Sequence, residues 1–400
     1  MAQLVTFCVY YIRNEIEQVY IQTAFGSLWR SFTSEIHSSL TLQLQFSISH
    51  KRSPNIMKYI FLVIGVMILI QICSGGNNKD QMWEAFKRKY NKVYRSAHEE
   101  FSRRKIYLTN RKAIDEFNAL NAAGGRFERL HENELADMEH KEISNPLLTK
   151  TLKKRRAALP VYHRTRDVRR YPRAVDWRDE GVVTPVERQG ICSSCWAFTA
   201  AGALESKIAI TTKTLEPLSK QQLVDCAGSE GAGGCAGGSI AEAYEYIMKS
   251  NGLMSQRDYP YENKNGFCRA DRSRAHSTLD SYKRIAPEEL SLQEVVAYEG
   301  PVAASIATDD PAWRFHHGDG IYNNPNCSRT VDHGVLIVGY GTDEVGNDYW
   351  IVKNSYGTEF GENGYIKMAR NKDNQCGIAD WAYIPVAVRV NRNTQVVHLP

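Results

Sequence analysis

Two cysteines three positions apart mark the segment best suited to chemistry in this 400-residue chain: Gln189-Gly-Ile-Cys-Ser-Ser-Cys-Trp-Ala-Phe. A loop of small residues leads into a helical pattern, which sets the Cys195 thiol on the first helical turn. Unpaired N–H groups and the positive end of the helix dipole face that sulfur and favour the thiolate, the form a nucleophile needs near neutral pH. A histidine close by would lower the thiol pKa further by ion pairing and could later protonate a leaving amine. Among the 11 histidines, His333 opens the apolar run Gly-Val-Leu-Ile-Val-Gly-Tyr-Gly, which would hold it at a rigid strand end. A lone histidine there is usually structural. Asn354, in Tyr-Trp-Ile-Val-Lys-Asn-Ser-Tyr-Gly at the end of the next strand, changes that reading, because its amide oxygen can accept the imidazole N–H and fix the ring. The low-pKa thiol of Cys192-x-x-Cys195 would equally suit a thiol–disulfide oxidoreductase, but no βαβ pattern surrounds it. A fold that keeps these groups but has little activity and acts as a binder is a further alternative. His316 and His317 are adjacent and lack the i, i+4 spacing of a helical zinc pair, so neither a metal nor a cofactor is expected.

Cysteine usage points to export. Apart from Cys8 and Cys73, seven remain, all after residue 190, and three bridges would leave one thiol. In a secreted protein an odd cysteine is a crosslink or a reactive group. From Met57 the chain runs Met-Lys, then an apolar stretch from Tyr59 to Ile72, then Cys73-Ser-Gly-Gly. That pattern describes a secretory signal peptide over residues 57–75 and is short of the roughly twenty residues of a membrane span. Residues 1–56 are accordingly read as a non-native upstream extension. With 42% hydrophobic residues the chain can bury large cores, and a net charge of +5 spread along it argues against nucleic acid as a partner.

Several elements must position these groups. Between Gln81 and Leu120 the sequence is charged and nearly free of glycine and proline, with large residues at helical spacing. Glu99, Arg103, Tyr107, Asn110, Ile114 and Asn118 fall on one mixed face, with Glu99 and Arg103 set to pair along the helix. Regular patterning fails from Pro146 to Arg170, where the basic clusters Lys153–Arg156 and Arg164–Arg170 suggest a protease-sensitive linker. A new domain begins near Tyr171. Helices are expected from Cys195 to about Thr211 and from Ser239 to Ser250. Short strands follow at Val302–Ala307, Gly334–Tyr340, Tyr349–Lys353 and Gly364–Ala369, and from Val386 onward the chain reads as a tail. A helical half followed by a strand half implies an α+β domain with two lobes.

Cys192 to Trp196 matches the Cys-Gly-Ser/Ala-Cys-Trp/Tyr signature of the papain and cathepsin families at all but one position, with His333 and Asn354 downstream at 138 and 159 positions from Cys195. Val175-Asp-Trp-Arg, Leu223-Val-Asp-Cys, Gly300-Pro-Val, Asp332-His-Gly-Val and Gly361-Glu-Asn-Gly-Tyr extend the likeness in order. The Glu99–Asn118 face and Asn133-x-Leu-x-Asp137 resemble the two prodomain motifs of the cathepsin L-like branch. The chain thus resembles a papain-like cysteine protease precursor of that branch. The resemblance implies a two-lobed papain-like fold, with a helical left lobe and an antiparallel β-barrel-like right lobe, behind an α-helical inhibitory prodomain. It divides the chain into prodomain and activation linker at 76–170, mature peptidase domain at 171–386 and C-terminal tail at 387–400.

The same likeness implies that Gln189 joins the backbone N–H of Cys195 in an oxyanion hole, and that Gly237 and Gly238 pair with extended substrate. It places Ser239, Ile240, Ser305, Val331, Gly334 and Trp381 around the second specificity pocket, with Trp381 as floor. It assigns the bridges Cys192–Cys235, Cys226–Cys268 and Cys327–Cys376, leaving Cys195 free. Expected partners are peptide or protein substrates, the chain's own prodomain and cystatin-like inhibitors. A lysosomal or extracellular monomer is implied. Four departures bear on efficiency: Ser193 replaces a glycine, Ala236 an asparagine, and Tyr356 and Phe360 two tryptophans beside the histidine–asparagine pair.

Overall fold

The computed structural model describes residues 78–123, 129–148, 160–318 and 320–390. The readings of residues 1–56 and 57–75 and of Lys153–Arg156 lie outside them. The chain falls into two compact units that meet between Val93 and Tyr94. In the first, helix α1 (residues 78–89) stacks Trp83 on Phe86, and Phe86 in turn meets Tyr90.

The second unit opens with α2 (Ala97–Ala123), whose charged sequence is held helical by i, i+4 pairs such as Arg111–Asp115 and Lys112–Glu116. Its buried residues are Tyr107 and Ile114, both on the face read from the sequence. That face holds the returning segment of the same chain. Arg103 donates to the Asp137 carbonyl and pairs with Glu142, Asn110 reaches the Ala136 and Met138 carbonyls, and the Asn118 amide brackets Leu130. Glu99 bonds to Arg95 rather than Arg103. Glu99, in the first turn of the helix, also accepts the Arg95 backbone N–H, and Arg103 is engaged by Glu142 on α3 (His140–Ile143).

The remaining strands make one nine-stranded sheet. They are β1 (Val161–Tyr162), β2 (Val175–Asp176), β3 (Ser277–Ile285), β4 (Val302–Ile306), β5 (Ile321–Tyr322), β6 (His333–Thr342), β7 (Asp348–Lys353), β8 (Tyr365–Ala369) and β9 (Ala382–Val390). The order is β1-β3-β9-β4-β6-β7-β8-β5, with β2 on β6. Pairing is antiparallel except at the two outer pairs, β1–β3 and β5–β8, and the order leaves the two ends unpaired with each other. The sheet is therefore open, and with the helices around it makes the mixed α+β architecture expected. β9 also runs to Val390 against β3, so residues 386–390 are strand and not tail. Its alternation is broken by Pro385, which hid it from a search for period two.

The helices α4 (Cys195–Thr212), α5 (Lys220–Cys226), α6 (Ile240–Ser250) and α7 (Glu289–Tyr298) complete the domain, with α8 (Pro311–Arg314) as a single turn. α4 is rich in alanine and buried on nearly every side, and it packs on β6, β9, β4 and α6. It ends at Lys213 in the left-handed region, while α6 starts on a capping box in which Ser239 and Glu242 exchange hydrogen bonds. Cys192–Cys235, Cys226–Cys268 and Cys327–Cys376 are disulfides, and Cys195 is a free, buried thiol. No helix among the described residues is long and apolar enough to cross a membrane.

Candidate active site

A side chain on Gly334 would put its Cβ 2.9 Å from Thr199 Oγ1 and 3.1 Å from the Cys195 carbonyl oxygen. The bare glycine therefore lets the start of α4 lie flush on the start of β6, where His333 stands. His333 Nε2–H donates to Asn354 Oδ1 at 2.8 Å, and that oxygen also accepts the Ser355 N–H. Nδ1 is left for the cleft, with the Tyr356 hydroxyl 3.5 Å away. Tyr356 and Trp313 pack their rings on the imidazole at 4.8 and 5.4 Å, and Phe360 backs Trp313 at 5.0 Å. This apolar wall covers the hydrogen bond where the two expected tryptophans are missing. Trp313 was not singled out from the sequence, since nothing local ties α8 to His333.

Gln189 is locked in place. Its Nε2 donates to the Cys192 carbonyl at 3.0 Å, its Oε1 accepts from Ser355 Oγ at 2.6 Å, and its backbone is bonded to Ser355 and Tyr261. Cys192 is bonded to Cys235 and not to Cys195, which keeps its thiol. Burial pushes the Cys195 thiol up to about 11, with hydrogen bonds from the Gly334 backbone and the Asn145 amide only partly offsetting it. Burial likewise drives His333 down to about 4. Both groups are neutral in this state.

The burial comes from the chain's own segment 130–148. Leu130 bridges to His316, the His131 N–H donates to the Phe315 carbonyl, and the His131 ring stacks on His317 at 3.7 Å. Asn133 donates to the Arg314 carbonyl, His140 meets Asp332 at 2.6 Å, and Ser193 Oγ donates to the Ser144 carbonyl. Asn145 sits on the Cys195 thiol. Its Nδ2 lies 3.8 Å from Cys195 Sγ and donates to the Gly238 carbonyl at 2.6 Å, while its Oδ1 accepts the Gly238 N–H at 3.2 Å. One side-chain amide thus pairs with both backbone groups of Gly238, as a peptide unit of an extended chain would. The only sequence signal at this residue was the Asn145-Pro146 turn pair.

The other predicted positions spread around the same cleft. Gly237 is held at φ +114° beside Asn145 and Leu147. Ser239 spends its hydroxyl on the α6 cap. Ile240, Val331 and Leu148 share one apolar cluster, with Trp381 packed at its margin and Arg284 stacked 5.3 Å over the indole. Ser305 is buried and takes the Trp381 carbonyl through its backbone N–H. His316 accepts the Gly318 N–H through Nδ1, which together with the His131–His317 stack gives both histidines structural roles.

Comparison with known proteins agrees with this geometry. The papain family cysteine protease model matches residues 171–386, and the cathepsin propeptide inhibitor domain (I29) matches residues 83–143. A cathepsin L-like peptidase of Aedes aegypti is 39% identical over 339 residues, covering 82% of this chain and 100% of its own. Cathepsin S of Bos taurus is 39% identical over 308 residues, covering 76% and 92%. Digestive procathepsin L 3 from the Tenebrio molitor larval midgut superposes with a TM-score of 0.67 at 36% identity, covering 77% of this chain and 99% of that one. A thiol at a helix start, an imidazole oriented by an amide and a covering segment from the same chain together belong to a protease precursor, and the chain is a member of the papain family of cysteine proteases.

Proposed function

We propose that Cys195 is the nucleophile of this cysteine endopeptidase zymogen, His333 its base and general acid, and Asn354 the group that orients the imidazole. Once the cleft is open, His333 Nδ1 takes the thiol proton. The thiolate adds to a peptide carbonyl, and the Cys195 N–H with Gln189 Nε2 holds the resulting oxyanion. His333 returns the proton to the leaving amine, and water then releases the acyl group by the same route. Gly237 and Gly238 bind the substrate backbone. Ser239, Ile240, Ser305, Val331, Gly334 and Trp381 surround the side chain at the second position before the scissile bond.

The observation that carries this reading is Asn145, an amide placed on the thiol and paired with Gly238 in the manner of substrate. Residues 76–170 act as prodomain and linker, and acid releases the inhibitory part from the cleft. The processed enzyme works as a monomer in a lysosomal or extracellular compartment and is a target for cystatin-like inhibitors. The test is Cys195→Ala: the precursor should fold and be secreted with its three disulfides intact, and peptidase activity after removal of the prodomain should be below about 1% of wild type. Higher residual turnover would refute the assignment.

A further inference from the structure

The last eleven residues assigned to the linker are built into the catalytic domain. β1 adds a parallel strand to the sheet edge, with the Arg284 N–H donating to the Pro160 carbonyl at 3.0 Å and the Ala286 N–H to the Tyr162 carbonyl at 2.9 Å. Beyond it the chain closes around Glu294 of α7, a carboxylate with no solvent exposure. Its Oε1 accepts from the Tyr162 hydroxyl at 2.8 Å, the Thr165 N–H at 3.0 Å and Thr165 Oγ1 at 3.1 Å. Its Oε2 accepts from the Arg166 N–H at 2.9 Å and the Tyr171 hydroxyl at 2.7 Å. The Arg166 guanidinium lies 3.7 Å from Oε1 and stacks on Tyr298, whose own hydroxyl donates to the Arg170 carbonyl. The neighbouring Arg164 pairs with Glu288 and takes Ser291 Oγ through its N–H.

We propose that residues 160–170 stay with the catalytic domain after maturation, so that the bond cut to give the processed enzyme lies upstream of Val161 and not at Tyr171. The proposal rests on the zymogen reading above. A protease needs an extended, unpaired stretch of chain, and here the backbone is held at Pro160 and Tyr162 by strand pairing, at Arg164 by Ser291, at Thr165 and Arg166 by a buried carboxylate and at Arg170 by the Tyr298 hydroxyl, with a 3-10 turn from Val168 to Arg170. None of the contacts just described involves Cys195, His333, Asn354 or Gln189, so retaining the segment leaves the catalytic groups untouched.

Acid does not undo this anchor. Burial alone would raise the Glu294 pKa, but the N–H groups of Thr165 and Arg166 and the hydroxyls of Tyr171 and Tyr162 hold it at about 2. A carboxylate depressed in the fold contributes stability above its unfolded value and loses it only as pH falls through the folded one. Arg166, Arg164, Glu288, Tyr162 and Tyr171 face this site, and Glu299 acts on Tyr162 from farther out. The clamp is therefore intact at the pH where the inhibitory segment leaves.

The Cys195→Ala precursor, treated with pepsin at pH 4, should give a limit fragment whose N-terminus is at or before Pro160. Wild-type precursor processed at the same pH should begin in the same region and cleave a peptide substrate. A fragment starting between Val161 and Arg173, or no stable fragment, would overturn the proposal. An active wild-type enzyme starting there would overturn it while leaving the zymogen reading intact; a processed wild type without peptidase activity would instead count against that reading. Glu294→Ala, checked for folding by its thermal transition, should move the N-terminus to between Val168 and Arg173. If it folds and the N-terminus does not move, Glu294 is not the clamp and the proposal fails.

Discussion

With the cleft covered, Cys195 and His333 are fully buried, and the Asn145 amide lies on the thiol. The thiol therefore stays protonated well above neutral pH, and the imidazole stays neutral down to about 4. Separating the covering segment returns solvent to both, and the thiolate–imidazolium pair can then form. Alkylation by iodoacetamide at pH 6 should accordingly be slow in the precursor and about 100-fold or more faster in the processed enzyme. Equal rates would mean that Asn145 does not gate the thiol. Asn354→Ala should reduce activity by about 10- to 100-fold and not abolish it, because the pair still forms but spends less time in the productive geometry. Trp381, with Arg284 over one face of its indole, fills space at the margin of the cluster that holds Ile240, Val331 and Leu148. We expect a shallow pocket there, one that prefers valine or proline to phenylalanine and accepts arginine least. A library varied at this position should show that order, and Trp381→Ala should move it towards phenylalanine.

At the scale of elements, α2 does not touch the catalytic groups; it holds the returning chain, which does. Among the described residues two joints carry charge, Arg111 with Glu132 at 3.8 Å and Arg103 with Glu142 at 2.8 Å, the tighter of the two. Burial raises the Glu142 pKa, but the bonds from Arg103 and from the Glu139 N–H outweigh it and leave it below the ordinary carboxylate value. Its contribution is complete above the unfolded pKa near 4.5 and fades as pH falls through the lower folded value. Glu142→Gln should mimic acid, so that the full-length precursor processes at pH 6 about tenfold faster than wild type, as loss of a charge-assisted hydrogen bond implies. An unchanged pH profile would remove this joint from the activation step. Inside the catalytic domain, α4 carries Glu205, which is buried with Lys220 at 2.9 Å and also accepts the Leu218 N–H and the Thr184 hydroxyl. Glu205→Ala strands the Leu218 N–H and the Thr184 hydroxyl and leaves the buried Lys220 with Glu187 alone, and in the Cys195→Ala precursor it should lower unfolding stability by about 3 kcal/mol in a urea titration.

For the molecule as a whole, the order of events along the chain was legible because catalytic residue types and their spacing survive in one dimension. Cys195 before a helical run, His333 before an apolar run and Asn354 at the end of the next strand are local patterns, and so are α2 and α6 with their periodicity. The odd cysteine count likewise implied one free thiol. What sequence could not decide depends on contacts between distant residues. Pairing of β1 with β3, the reach of β9 to Val390, and Trp313 against His333 each join segments whose local pattern is weak, so only burial and strand pairing in three dimensions define them. Glu99 pairs with Arg95 while Arg103 is taken by Glu142, a carboxylate that folding brings from far along the chain. The same reason explains Asn145 and Glu294. Each is an ordinary polar residue in its own neighbourhood, and each acquires its role when folding brings a backbone from far along the chain within hydrogen-bond reach.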